Sequence, residues 1–265
     1  MYQFLKLLIV LLVSYCAYAE EVILDANESP PFWSQTMPFQ GMAGEIVQAI
    51  SNAADLQSTI RFLPLKRLIE NTHNNDLGNP LFYMSNQDFS AIIPIASYRV
   101  SFFYYQPNHK EIITLDTLHN LQSYKIGVLE GTVTEHSYFA EKNISFETSY
   151  TQASLIKKLK HGRIDLVLAI DLVAVGTINQ LFPEQAHFFK QLKLPNSDSP
   201  IAIMIAEEQR NAEAIAAKCR KGLQIIINNG RYFQILEKHY QQFVSVDWLS
   251  DLHRFEQLYS FDDYE

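Results

Sequence analysis

The spacing of apolar positions changes from element to element along this chain. Glu21 to Ala26 alternates with the period of a strand, and the turn-rich Asn27-Glu28-Ser29-Pro30-Pro31 ends it before Phe32-Trp33. From about Gly44 the spacing becomes helical, with Ile46, Val47, Ile50, Ala53 and Ala54 on one face. Ile60 to Leu63 reads as the next strand. Pro64 to Asn71 reads as a helix, because proline suits a first helical turn. Strand and helix in alternation predict an α/β layer fold with a mostly parallel sheet.

A second series begins after Pro107. Lys125 to Leu129 is a predicted strand, Thr134 to Glu141 a helix, and Ile144 to Thr148 a further strand. Gln152 to His161 is a helix with Leu155, Ile156 and Leu159 inward, ended by Gly162, and Ile164 to Ile170 is a buried strand. Extended segments flank this series: Ser97 to Tyr105 before it and Pro200 to Ala206 after it. They suggest a chain that crosses out of one lobe and later crosses back. Helices over 211–229 and 230–240 would then pack on the first lobe. The acidic tail from Asp247 to Glu265 places Trp248, Leu249, Leu252, Phe255 and Leu258 at helical spacing, so a docked helix with a frayed end is expected.

Composition narrows the setting. The first residues, MYQFLKLLIVLLVSYCAYAEE, carry Lys6, an apolar run from Leu7 to Val13 and then Ala17-Tyr18-Ala19. That is the pattern of a secretory leader cleaved after Ala19, and the run is well short of the roughly 20 residues a spanning helix needs. Tyr15 before Cys16 speaks against a lipid anchor, which wants a small residue there. The formal charge is −8, and loss of Lys6 with the leader makes the mature chain more acidic still, so nucleic acid is not an expected partner. Only Cys219 would remain, so no internal disulfide is expected. The eight histidines show no metal-ligand spacing, and no P-loop or G-x-S-x-G motif occurs, so neither metal nor cofactor is expected.

One joint carries candidate chemistry. In KIGVLEGTVTEHSYF, residues 125 to 139, a strand turns through Gly131-Thr132 into a helix. The first amides of a helix have no partner within it, so they face whatever lies beyond the turn. Gly131 lets the backbone approach closely, Thr132 adds a directed donor, and the helix dipole favours negative charge. Such a joint is a socket for a carboxylate, and it is also an ordinary way to begin a helix.

Seven stretches carry a resemblance: NESPPF at 27–32, GMAGEIVQAI at 41–50, PLKRLIE at 64–70, FSAIIPIASYRVSFFYY at 89–105, YKIGVLEGT at 124–132, LKHGRIDLVLAID at 159–171 and NNGRYFQILEKHY at 228–240. In this order, behind a leader, they resemble the bacterial family 3 solute-binding proteins, the receptors of polar amino acid ABC transporters, over most of residues 20–243. The resemblance implies the two-lobed type II periplasmic binding fold. In it, each lobe is a mixed sheet flanked by helices, two crossing strands join the lobes, and a ligand closes between them. The expected spans are a signal peptide at 1–19, the first lobe at 20–105, the second at 106–199, and a return strand and helices packing on the first lobe at 200–265.

The same resemblance assigns candidate contacts. Gly131 and Thr132 would meet a ligand carboxylate, Thr134 would cap the helix, and Phe32 would form a wall of the cleft. The family's T-x-x-R arginine is missing: Ser85 or Asn86 stands near its place, and Arg67 in PLKRLIE is the candidate substitute. Arg99 is expected in a structural pair and Glu28 in a solvated turn. The carboxylate for a ligand ammonium would be Asp171, although the family's usual interval from Asp165 reaches Ile170, and a slip of one residue turns a strand position to the other face. Asp165 is expected to cap or pair near Arg163.

The expectation is a monomeric periplasmic receptor for a small polar solute, serving an inner-membrane ABC permease or a membrane sensor, with no catalytic residue. The rival is a dehydratase-like enzyme on the same fold, using Glu28, Glu130 or Asp171 as acid or base. A third reading is a degenerate member that binds a protein and no solute.

Overall fold

The computed structural model describes residues 21–64, 67–68, 73–80, 88–114, 121–129, 144, 146–241 and 248–259. Among these, β1 (Glu21–Ala26) runs parallel to β2 (Gln57–Phe62) and to β3 (Asn75–Gly78). Val22, Leu24 and Ala26 turn into a core shared with α1 (Gly41–Ala54), which buries Met42, Ile46, Val47 and Ile50. The helix starts before the predicted Gly44, because its first amides find backbone partners. Met42 N–H donates to Pro31 O at 3.4 Å and Ala43 N–H to Phe32 O at 2.8 Å, with no side-chain cap. Gly41 makes that approach possible: its φ is +87°, and a Cβ there would lie 2.7 Å from Phe32 O.

β4 (Phe89–Tyr105) and β8 (Phe189–Ala206) are far longer than the crossing segments expected from sequence. They pair antiparallel, with Phe89↔Ala206 at one end and Tyr105↔Phe189 at the other. The first half of β4 is buried on both faces, so the alternation that betrays a strand is missing, and Pro94 interrupts it. Proline is tolerated because up to Arg99 β4 pairs, among the described residues, with β8 alone, so that its other edge has no strand partner among them. The pairing breaks midway. Arg99 faces Asp198 and Ser101 faces Lys193, so residues 194–197 of β8 stand opposite Val100 alone. Ser197 Oγ sits 2.8 Å from the carbonyls of Val100 and Leu194 and fills the gap in the ladder.

Beyond that break, β7 (Leu166–Ile170) pairs antiparallel with β4, and β5 (Ile126–Leu129) lies parallel to both β7 and β6 (Phe146–Ser149). The sheet order is β2-β1-β3-β8-β4-β7-β5-β6. α2 (Gln152–Lys160) is capped by Thr151, whose hydroxyl accepts the Ser154 amide at 3.1 Å, and it buries Leu155, Ile156 and Leu159 as expected. It ends at Gly162, at φ +66°. α3 (Asp171–Leu181) follows β7 directly. Its sequence DLVAVGTINQL is too evenly apolar to show a helical stripe, which is why pattern reading stops at the strand.

α4 (Ala212–Asn228) and α5 (Arg231–Tyr240) return to the first half, where Ile215, Cys219, Ile226, Tyr232 and Leu236 join the core of β1 and α1. α6 (Trp248–Leu258) is the docked tail helix, with Trp248, Leu252 and Phe255 inward. Separate apolar clusters lie beyond the break in pairing, one around Phe103, Leu155, Val175 and Phe189, another around Phe102, Val128 and Leu168. Two cores strung on two shared strands give a two-lobed α/β fold.

One strand residue of the first lobe carries an electrostatic cost. Asp76 is 1% exposed, and neither carboxyl oxygen has a hydrogen-bond partner among the described residues. Its register neighbour Asp25 is occupied by Arg61, at 2.6 and 2.8 Å. Burial, and then the charge of Asp25, push the Asp76 pKa up to about 8 from its ordinary 3.8. The folded chain therefore keeps this proton while the unfolded chain loses it. The stability contribution is complete at low pH and is lost as pH rises from about 4 to about 8. Asp76→Asn is expected to match the natural chain in melting temperature near pH 4 and to exceed it by several degrees at pH 8. A difference constant across that range would place the titration elsewhere.

Candidate functional site

The sheet topology dictates where the site lies. β3 and β4 are both antiparallel to β8, so β1, β2, β3 and the first half of β4 all point toward the second lobe. β7 runs against β4, so β5, β6 and β7 point back toward the first lobe. The carboxyl ends of both parallel sets therefore face each other across the crossing strands, and the gap at the carboxyl edge is where α/β sheets bind ligands.

The first lobe brings two predicted residues to this edge. Phe32 stands in the loop that leaves β1, a tight turn in which Phe32 and Trp33 amides both donate to Ser29 O, at 3.0 and 3.1 Å. The polar turn was expected to keep Phe32 out of the core. Instead Phe32 is 3% exposed and belongs to the first-lobe core, because its carbonyl is held by the first turn of α1 and its ring is thereby drawn inward. Its ring lies 5.4 Å from that of Tyr98. Arg67 follows the carboxyl end of β2 and is exposed, while the next residue, Leu68, is buried against Phe89 and Met204. Leu68 anchors the turn through its amide to Pro64 O at 3.1 Å.

Two polar residues at this edge went unnoticed in the sequence. Tyr98 leads into the crossing, and its hydroxyl accepts a hydrogen bond from Asn79 Nδ2 at 2.9 Å, just past the end of β3. Tyr98 lay within the quoted SYRVSFFYY segment, but no spacing distinguishes it from the other tyrosines there.

The second lobe contributes Asp171 as the first residue of α3, and its carboxylate faces inward. It is 3% exposed, its Oδ1 accepts the Leu172 amide at 2.7 Å, and the Tyr240 hydroxyl approaches the same oxygen at 3.4 Å. Burial pushes its pKa up to about 7, while the Leu172 and Arg99 amides, the Arg99 charge and Tyr240 pull the other way. Asp165 does not pair with Arg163: its Oδ2 accepts the Lys125 amide at 2.8 Å and ties β5 to β7. Glu28 is exposed as expected and accepts the Gln35 amide at 3.1 Å.

Arg99 is structural, as expected. Its guanidinium pairs with Asp251 and lies over the Trp248 ring, 5.8 Å from the centroid. Ser85, Gly131 and Thr132, with Asn86, Glu130 and Thr134, lie outside the described residues. Among the described residues, no hydrogen bond or ion pair joins Phe32, Arg67 and Asp171 to one another. Phe32 meets the crossing strand through Tyr98, and Asp171 meets it through the Arg99 amide.

A groove of about 880 Å3 lies elsewhere, between α4, α6 and the start of β4, rimmed by Arg220, Gln224, His253 and Glu256. It opens on the outside of the first lobe, away from both carboxyl edges. Among the described residues no group of histidine, cysteine or acidic side chains could hold a metal, and no helix is long and apolar enough to cross a membrane.

Solved structures share this architecture. An ancestral cationic amino acid solute-binding protein superposes with a TM-score of 0.63 at 14% identity, covering 83% of this chain and 96% of that one. The second substrate-binding domain of a putative amino acid ABC transporter from Streptococcus pneumoniae Canada MDR_19A gives 0.59 at 18%, covering 83% and 100%. A histidine kinase sensor domain with similarity to periplasmic binding proteins gives 0.52 at 13%, covering 84% and 96%. No protein-family model and no curated protein sequence matches the chain. The fold is that of the two-lobed periplasmic binding proteins.

Proposed function

We propose that this chain is an exported receptor, acting in the periplasm after removal of residues 1–19, that captures a small polar solute between its lobes. The observation that carries the reading is the facing of two sets of carboxyl strand ends across a pair of crossing strands, a geometry that makes a two-sided trap. Closure acts by differential affinity: a solute touching both edges binds the closed form better than the open one. No covalent step is involved. The likeness to amino-acid-binding proteins of ABC transporters supports an amino acid or related carboxylate as solute and an inner-membrane permease as partner. The likeness to a kinase sensor domain supports a membrane sensor as the second reading of the partner.

In this reading Arg67, free of any ion pair among the described residues, grips the solute carboxylate together with Thr132, Gly131 and the segment of Ser85. Tyr98, half-buried and backed by the core residue Phe32, forms the wall at the base of the gap. Asp171 serves from behind, bonded within the protein, and is not the counter-ion of a ligand ammonium.

Native mass spectrometry of freshly purified protein is expected to show a retained solute. A thermal-shift panel of amino acids and small carboxylates should then show stabilisation, about 2.7 kcal/mol at 100 times the dissociation constant. Arg67→Ala should weaken a carboxylate solute by roughly tenfold or more, the loss of a charge-assisted pair. No retained mass and no shift across the panel would overturn the receptor reading. Chemical conversion of prephenate or arogenate would favour the enzyme instead.

A further inference from the structure

We propose that α6 is a clamp on the hinge: it grips both crossing strands at the widest of the three breaks in their pairing, and so governs how freely the lobes move. The break falls just after the facing pair Arg99 and Asp198. Those are the two residues that α6 holds. Asp251 of α6 pairs with Arg99 of β4, and Arg254 of α6 pairs with Asp198 of β8. Asp251 and Arg254 are one helical turn apart and meet at 3.6 Å. The result is a ring with three charged sides and one of backbone: ion pairs join Arg99 to Asp251, Asp251 to Arg254 and Arg254 to Asp198, and the strand register of Arg99 with Asp198 completes it.

Three of the ring's four members are sheltered. Arg99 and Asp251 are 8% and 7% exposed, and the Asp198 side chain is nearly as covered, so water does not easily replace one partner by another. Trp248, at the start of α6, is 1% exposed, packs against Tyr240 with centroids 4.7 Å apart and planes tilted by 55°, and roofs the Arg99 guanidinium. Tyr240 in turn reaches Asp171 at the head of α3, in the second lobe. One helix therefore touches the first lobe and both hinge strands directly, and the second lobe through a single intervening side chain.

Rotation about the break changes the angle between β4 and β8 at Arg99 and Asp198. The ring fixes the spacing of those two residues to a rigid helical turn, so any such rotation must stretch or part a charge pair. The device acts on the hinge and not on the gap, so it holds whatever the solute is.

Hydrogen exchange read by mass spectrometry on the full chain tests this. Arg254 is half exposed, so Arg254→Gln opens the ring without leaving its own charge buried, and Asp198→Asn opens it from the strand side. Each is expected to speed amide exchange in 97–101 and 197–201 by about three- to fivefold, the range set by a partly exposed ion pair, while β1 and α1 keep their rates. Wild-type exchange at the hinge in both variants overturns the proposal. So does a rise of equal size in β1 and α1, which would mean a general loss of stability.

Discussion

Asp251→Ala is expected to destabilise the protein by about 3–5 kcal/mol and to lower its melting temperature by roughly 6–20 °C. The magnitude comes from what the substitution leaves behind. Arg99 is 8% exposed and its guanidinium faces Asp251 beneath the Trp248 ring, so removing the carboxylate strands a positive charge where water has little access. The pair itself is not expected to be a large net stabiliser, since desolvation of both groups offsets most of their attraction. The double replacement Arg99→Met with Asp251→Leu should therefore recover most of the loss. Denaturant unfolding of the three variants checks this. A double variant as unstable as Asp251→Ala would mean that the fold needs the charges themselves.

Gly222→Val should destabilise by about 3 kcal/mol, the upper part of the range for overpacking a close contact. Gly222 lies where α4 crosses α1, and a Cβ there would come 2.5 Å from Ile50 O and 3.1 Å from Ala54 Cβ. The nearest atom is backbone, so no rotamer change relieves the clash and the two helices must separate. Ile226, one turn along α4, and Ile50 opposite would lose contact together. Gly230, where an added Cβ meets nothing within 4 Å, is the contrasting position in space, although its φ of +80° still favours glycine. Thermal unfolding of Gly222→Val within a degree of the natural chain would contradict the packing argument.

Several elements were legible from spacing alone. The stripe of α1, the inward Leu155, Ile156 and Leu159 of α2 with its closing Gly162, and the tail helix with Trp248, Leu252 and Phe255 inward all appear where pattern placed them. Each of these is a local amphipathic element, whose buried face is written in consecutive residues. β3 and α3 were not legible. β3 is four residues long, Asn75–Gly78, and gains its identity only by pairing with β1 and β8. α3 is apolar on too many sides to display a period.

The candidate site divides along the same line. Phe32 and Arg67 were named through the resemblance, and in the structure they follow the carboxyl ends of β1 and β2. Asp171 was read as the close of a strand, whereas it opens α3, and its partners Tyr240 and Arg99 come from distant parts of the chain. Asp251, 152 residues beyond Arg99, could not be paired with it by any local rule.

Residue order along the chain was enough to establish alternating strands and helices in two series, an acidic and cysteine-poor composition, and a helical tail, because burial against one neighbour imposes a period on adjacent positions. Folding in three dimensions settled the rest: that β4 runs unbroken through Pro94, that Phe32 belongs to a core although it sits in a turn, and that the charges at the hinge close into a ring under α6. Those outcomes depend on which distant groups share a low-dielectric space, and spacing along the chain does not encode that.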